Sequence, residues 1–130
     1  MKILITENRI KNTLFGYLSM KGLDKVMSHG GGYEVCYYPI EWYQMDDEGD
    51  YEPAPCVFSY FYNRKTYQEW HHLPVNNSED YDEEDFPLIE LDYNIFSEME
   101  TIFGKKIIDE FAPDFFTDVV GGKVKRVVSE

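Results

Sequence analysis

Residues 33–43 and 56–62 are the segments that most restrict what this chain can fold into. The first reads Tyr-Glu-Val-Cys-Tyr-Tyr-Pro-Ile-Glu-Trp-Tyr, the second Cys-Val-Phe-Ser-Tyr-Phe-Tyr. Aromatic and β-branched side chains suit a pleated, half-buried surface, so both runs are expected as strands. The stretch between them is acidic from Asp46 to Glu52 and ends in Pro53 and Pro55. Two such runs across a turn-rich loop predict an antiparallel hairpin. Pro39 has no amide hydrogen, so the first strand should lie at an edge or carry a bulge there. By the two-residue period, Cys56, Phe58, Tyr60 and Tyr62 share one face of the second strand.

The rest of the chain supplies helices. Ile10, Leu14, Tyr17 and Leu18 fall at helical spacing, with residues 2–5 as a short strand or a staple before the helix. Thr6 suits its N-cap, and Gly22 its end. Residues 23–27 suggest one further helical turn. Asn63-Arg64 reads as a turn into a third strand over 67–73. A second acidic loop covers 74–86, with 76–85 expected to be the most mobile internal segment because its carboxylates repel one another. Residues 87–91 read as a strand, and Asp92 as the cap of a helix carrying Ile95, Phe96, Met99, Ile102 and Phe103. Gly104 terminates that helix. A second helix starts near Lys105 and is expected to break at Pro113. Gly121-Gly122 then turns into a last strand over 123–128. The expectation is one α+β domain spanning residues 1–130. It has a mixed or antiparallel sheet of about four to five strands, an N-terminal helix and a C-terminal helix pair.

The stretch from Met1 to Thr6, followed by Asn8-Arg9-Ile10-Lys11, resembles the start of small uncharacterised proteins of tailed phages and aquatic metagenomes. Leu88-Ile89-Glu90-Leu91-Asp92-Tyr93, Ile95-Phe96-Ser97-Glu98-Met99, Ile102-Phe103-Gly104 and Ile107-Ile108-Asp109-Glu110-Phe111 resemble the same proteins. The resemblance covers the two ends, and residues 30–86 depart from it. It implies a phage-like origin. It brings no activity and no functional residue, because those proteins have no assigned activity.

Charge narrows the partners. Twenty-five acidic residues against 12 basic ones give a net charge of −13. Nucleic acids are polyanions, and anionic membranes repel acid in the same way, so neither is an expected partner. A basic protein surface is. The chain has no apolar run of about 18 residues and no secretory leader pattern, which suggests a cytoplasmic protein with Cys36 and Cys56 reduced.

Motifs for chemistry fail on spacing. Counted from Asp46, an EF-hand would need glycine at Tyr51 and glutamate at Val57. His71 and His72 would face opposite ways on a strand, where Glu69 and His71 would share a face. Gly30-Gly31-Gly32 is not followed by the Lys-Ser/Thr of a phosphate loop. No catalytic residue, metal site or cofactor follows. The chain reads as a non-enzymatic acidic binding module, one form being an inhibitor of a host nucleic-acid-binding protein in the host cytoplasm. The alternatives are a small structural component of a phage particle and a small enzyme. A concave pocket holding His71 or His72 with carboxylates would favour the enzyme.

The candidate contact residues come from the loops and the aromatic strands. Asp46, Asp47, Glu48, Asp50 and Glu52 form one acidic loop. Glu79, Asp80, Asp82, Glu83, Glu84 and Asp85 form the other, so 11 of the 25 acids lie in two short stretches. Concentrated charge of one sign steers an oppositely charged partner. Trp42, Tyr60 and Tyr62 are the expected aromatic anchors, unless helices cover both faces of the sheet.

Overall fold

The computed structural model describes residues 2–28, 36–39, 44–45, 51–52, 56–71 and 81–130. Helix α1 runs from Lys2 to Met20. Residues 2–5 are therefore helical, and Thr6 lies inside the helix rather than capping it. A helix satisfies its own backbone groups, whereas a short strand needs a neighbour to do so. The helix ends at Gly22, whose φ of +81° is open to glycine at little cost. Leu23 N–H reaches Leu18 O at 3.1 Å and Gly22 N–H reaches Ser19 O at 3.0 Å, the paired bonds of a Schellman stop. The chain then extends into β1, Val26–Ser28, where another helical turn was expected.

Strands β2 (Cys36–Pro39), β3 (Gln44–Met45), β4 (Tyr51–Glu52) and β5 (Phe58–Phe61) follow. β2 pairs antiparallel with β5, with Cys36 opposite Ser59 and Tyr37 opposite Phe58, as the two aromatic runs predict. β3 and β4 form a separate two-stranded ladder inside that connection. Pro39 is the last residue of β2 and sits opposite Val26 of β1. The pairing also carries Cys56, just before β5, to Cys36. Their Cα atoms are 5.4 Å apart and the two are joined in a disulfide. This corrects the reduced thiols expected from the sequence, and disulfides persist mainly in oxidising compartments.

Residues 64–70 are helix α2, where a turn at 63–64 and a third strand over 67–73 were expected. The deciding local feature is Asn63, whose side chain accepts from Thr66 N at 2.9 Å as an N-cap. Strand β6 (Leu88–Leu91), helix α3 (Tyr93–Phe103), helix α4 (Lys105–Val120) and strand β7 (Arg126–Ser129) complete the chain. Asp92 caps α3 as expected, its Oδ2 accepting from Ile95 N at 3.1 Å. Gly104, with φ of +83°, joins α3 to α4. Helix α4 runs straight through Pro113 instead of breaking there. Residues on both sides of the proline, Ile108, Phe115 and Phe116, are buried, so packing keeps the helix continuous across it.

The main sheet has the order β1-β2-β5-β6-β7. Its neighbours are antiparallel except β6 and β7, which are parallel. The fold is α+β with a mixed five-stranded sheet. One face holds Phe58, Tyr60, Ile89, Leu91 and Val127, packed with Leu14, Leu18, Met99, Ile108 and Phe116 from the three long helices. The other holds Phe61, Leu88 and Val128, covered by Phe86, Tyr67 and Tyr81. Both faces of β5 and β6 are thus buried, and the aromatic strand face expected to be open is not free.

Phe116 is fully buried and meets the Phe58 ring edge-on at 4.9 Å, fastening α4 to the sheet. Phe116→Ala is expected to lower unfolding stability by about 3–5 kcal/mol in urea titrations. A loss under about 1 kcal/mol would show that this contact is not central to the core.

Candidate functional site

β6 is a central strand read by the sequence as Leu-Ile-Glu-Leu, and all four residues are buried. A strand covered on both faces is normally apolar throughout. Glu90 is the exception, at 7% exposure. It lies opposite Ser59 of β5 and Val128 of β7, on the face covered by α2. A carboxylate buried there must find polar partners or give up its charge.

The partner comes from α2. Tyr67 and His71 are one helical turn apart, so both side chains reach the same side of the helix. His71 terminates α2, its N–H bonding to Tyr67 O at 3.1 Å. Its ring packs at 4.5 Å from that of Tyr67 and 5.8 Å from that of Phe61. This places His71 Nε2 3.0 Å from Glu90 Oε1. The contact has the distance of an ion pair. With Tyr67, His71 supplies the polar company of the buried carboxylate. Burial raises the Glu90 pKa, and Glu130 adds to that. The neighbouring His71, and a hydrogen bond from Tyr67, pull the other way.

The pair opens onto a pocket of about 520 Å³. Trp70 and His71 line it from α2, Ser59 from β5, Glu90 and Asp92 from the end of β6, and Glu130 from beyond β7. Two backbone bonds hold this end of the sheet together: Asp92 N–H to Val57 O and Glu130 N–H to Leu91 O, both 2.8 Å. The wall carries three acidic side chains against one imidazole. Such a lining suits a cationic group. The Cys56 sulfur, also at the pocket, is tied up in the disulfide. No hydrogen bond joins Ser59 to His71 among the described residues, so a serine–histidine relay is not formed. Among those residues no three His, Cys, Asp or Glu side chains are grouped to hold a metal ion. Glu69 and His71, expected to share a strand face, point apart because they are two residues apart on a helix.

Of the residues singled out from sequence, Trp42, Asp46, Asp47, Glu48, Asp50, Glu79 and Asp80 lie outside the described residues, as does His72. Glu52 falls in β4. Asp82, Glu83 and Glu84 are exposed. The segment expected to be mobile is organised where it is described. Residues Glu83–Asp85 form a 3₁₀ turn, and Asp85 accepts from Asp82 N at 3.0 Å. Asp85 also pairs with Arg126 at 3.3 Å, and the guanidinium lies 5.3 Å over the Tyr81 ring. Tyr60 is not an anchor: it is 4% exposed and its hydroxyl donates to Lys123 O at 3.0 Å. Tyr62 is 59% exposed and rests edge-on against Tyr60.

The sequence reading missed Glu90 as a site residue. Its signal was present, as a single acid within an otherwise apolar strand. No known protein family, curated protein or solved structure matches the chain. Among the described residues no helix is long and apolar enough to cross a membrane.

The raised Glu90 pKa has a definite sign. A carboxyl whose folded pKa lies above its unfolded value favours the fold most below the unfolded value, and that contribution is lost as pH rises through the folded one. Glu90→Gln keeps a neutral side chain at every pH. Relative to the parent, the variant should therefore gain stability as pH rises from about 4 through the glutamate range and above. Urea titrations of both proteins at several pH values check this. A stability difference constant with pH would contradict it.

Proposed function

We propose that this chain is a non-enzymatic binding module for a basic protein. The observation that carries the reading is the pocket at the end of β6 and β7, whose lining includes Glu90, Asp92 and Glu130 as well as Trp70. The net charge of −13 supports it, because a surface of one sign attracts partners of the other before contact is made. The exposed carboxylates of Asp82, Glu83 and Glu84 add to that field. Tyr62 and Trp70, at 59% and 38% exposure, offer aromatic contact area.

The phage-like form of this proposal, in which loop carboxylates imitate phosphates toward a host nucleic-acid-binding protein, rests on the resemblance of the two chain ends. Its cytoplasmic setting is opposed by the Cys36–Cys56 disulfide.

A second reading draws on one specific observation. A histidine 3.0 Å from a buried glutamate within a pocket can move a proton, which is the constellation that would favour a small enzyme. The acidic lining, which suits a bound cation, is the reason the binding module is preferred. Substrate consumption by the parent that is lost in Glu90→Gln, from a mixture of small metabolites followed by mass spectrometry, would reverse that preference.

The binding module is tested by capture from host lysate and then kinetics with the purified partner. Replacing Asp82, Glu83 and Glu84 by Asn and Gln should slow association severalfold while changing dissociation little, because peripheral charges act mainly on encounter. Folding stability should shift by less than about 0.5 kcal/mol. Raising the salt concentration should reduce the parent's association rate toward that of the variant. Association independent of salt would contradict the proposal.

A further inference from the structure

We infer that the pocket at the end of β6 and β7 receives one arginine side chain of the partner, its guanidinium held by the pocket carboxylates and its stem laid against Trp70. This rests on the binding reading above and narrows it to one group. Four observations lead there.

The first is charge. The walls carry Glu90, Asp92 and Glu130 against a single imidazole, so an anionic occupant would be repelled and a cationic one attracted. The second is the state of Glu90. It is 7% exposed and lies 3.0 Å from His71 Nε2 on the pocket wall, so a buried acid stands at the pocket with one imidazole and Tyr67 for company. A cation entering the pocket adds to that company and offsets the cost of keeping the acid charged. The third is Trp70, which lines the pocket and stays 38% exposed. An indole face gives apolar surface to the stem of a long side chain, and its quadrupole favours the cation at the stem's end. The fourth is size. A volume of about 520 Å³ admits a long side chain with room to spare, within the ordinary range for a small ligand.

These features separate arginine from lysine. A guanidinium presents parallel donors to carboxylates and is less strongly hydrated than an ammonium, so it loses less on entering a half-buried site. Asp92 is partly committed already, because its Oδ2 caps α3 through Ile95 N. Glu90 and Glu130 are therefore the principal acceptors.

The test titrates the isotope-labelled full chain with N-acetyl-arginine amide, N-acetyl-lysine amide, N-acetyl-citrulline amide and agmatine, followed by nuclear magnetic resonance. Citrulline keeps the shape of arginine without the charge. The arginine probe is expected to bind in the millimolar range and to shift the Trp70 indole and the backbone amides of Ser59, His71 and Glu90. The citrulline probe should bind at least about tenfold more weakly, as should the arginine probe to Glu90→Gln. Trp70→Ala, which removes a half-exposed side chain, should weaken the arginine probe severalfold and keeps the test open if Glu90→Gln does not fold. Equal binding of arginine and citrulline, tighter binding of lysine, or shifts away from the pocket would overturn the inference. Agmatine binding more tightly than blocked arginine would assign the pocket to a free metabolite instead. Saturable arginine binding with no basic protein captured would keep the guanidinium site and overturn both its assignment to a protein partner and the binding-module reading. A captured basic protein whose affinity is the same for the parent and Trp70→Ala would do the reverse.

Discussion

Burial of Glu90 within β6 is the constraint on which the second face of the sheet depends. Its strand neighbours Leu88, Ile89 and Leu91 are fully buried, so the backbone has no freedom to turn the acid outward. The face it occupies has to supply polar contact, and α2 does so with Tyr67 and His71 one helical turn apart. That requirement fixes where α2 docks. It also fixes where the helix must end, since His71 both closes α2 and reaches the carboxylate. The pocket is the space left beyond that end.

The first face has no such conflict. α1, α3 and α4 lay apolar stripes on Phe58, Tyr60, Ile89, Leu91 and Val127, and the aromatic rings interlock edge to face. Tyr17 adds one polar tie, its hydroxyl donating to Glu98 at 3.0 Å while Lys21 pairs with the same carboxylate at 3.1 Å. Glu98 is exposed, and these two contacts hold its pKa below the ordinary range. Glu98 and Glu90 differ because one keeps water and cationic company while the other has lost the water. A stable three-helix face is what lets the fold carry an acid on the opposite side.

Much of the architecture could be read before the structure. The cap at Asp92, the stops at Gly22, Gly104 and Gly121, the β2–β5 pairing and the strand at 88–91 all rest on local rules with strong signals. The errors arose where tertiary contact outweighs local preference. Pro113 predicts a break, but buried residues on both sides keep α4 intact. Tyr67, Glu69 and His71 alternate as a strand would, yet the Asn63 cap and packing on Phe61 make a helix. The pocket itself was illegible because its walls come from β5, α2, β6 and the end of β7, which only folding brings together. Acids gathered in sequence are the visible signal, whereas those that line one pocket, Glu90, Asp92 and Glu130, are spread over 41 positions.

The central claim is that the buried Glu90, held by His71 and Tyr67, organises the pocket end of the sheet. Its most direct test is a carboxyl-carbon nuclear magnetic resonance titration of the native protein. The account predicts that Glu90 ionises above the ordinary glutamate range and that the His71 ring resonances move in the same step, because the two groups are 3.0 Å apart. A Glu90 midpoint at the ordinary value, with His71 unmoved as it ionises, would contradict it.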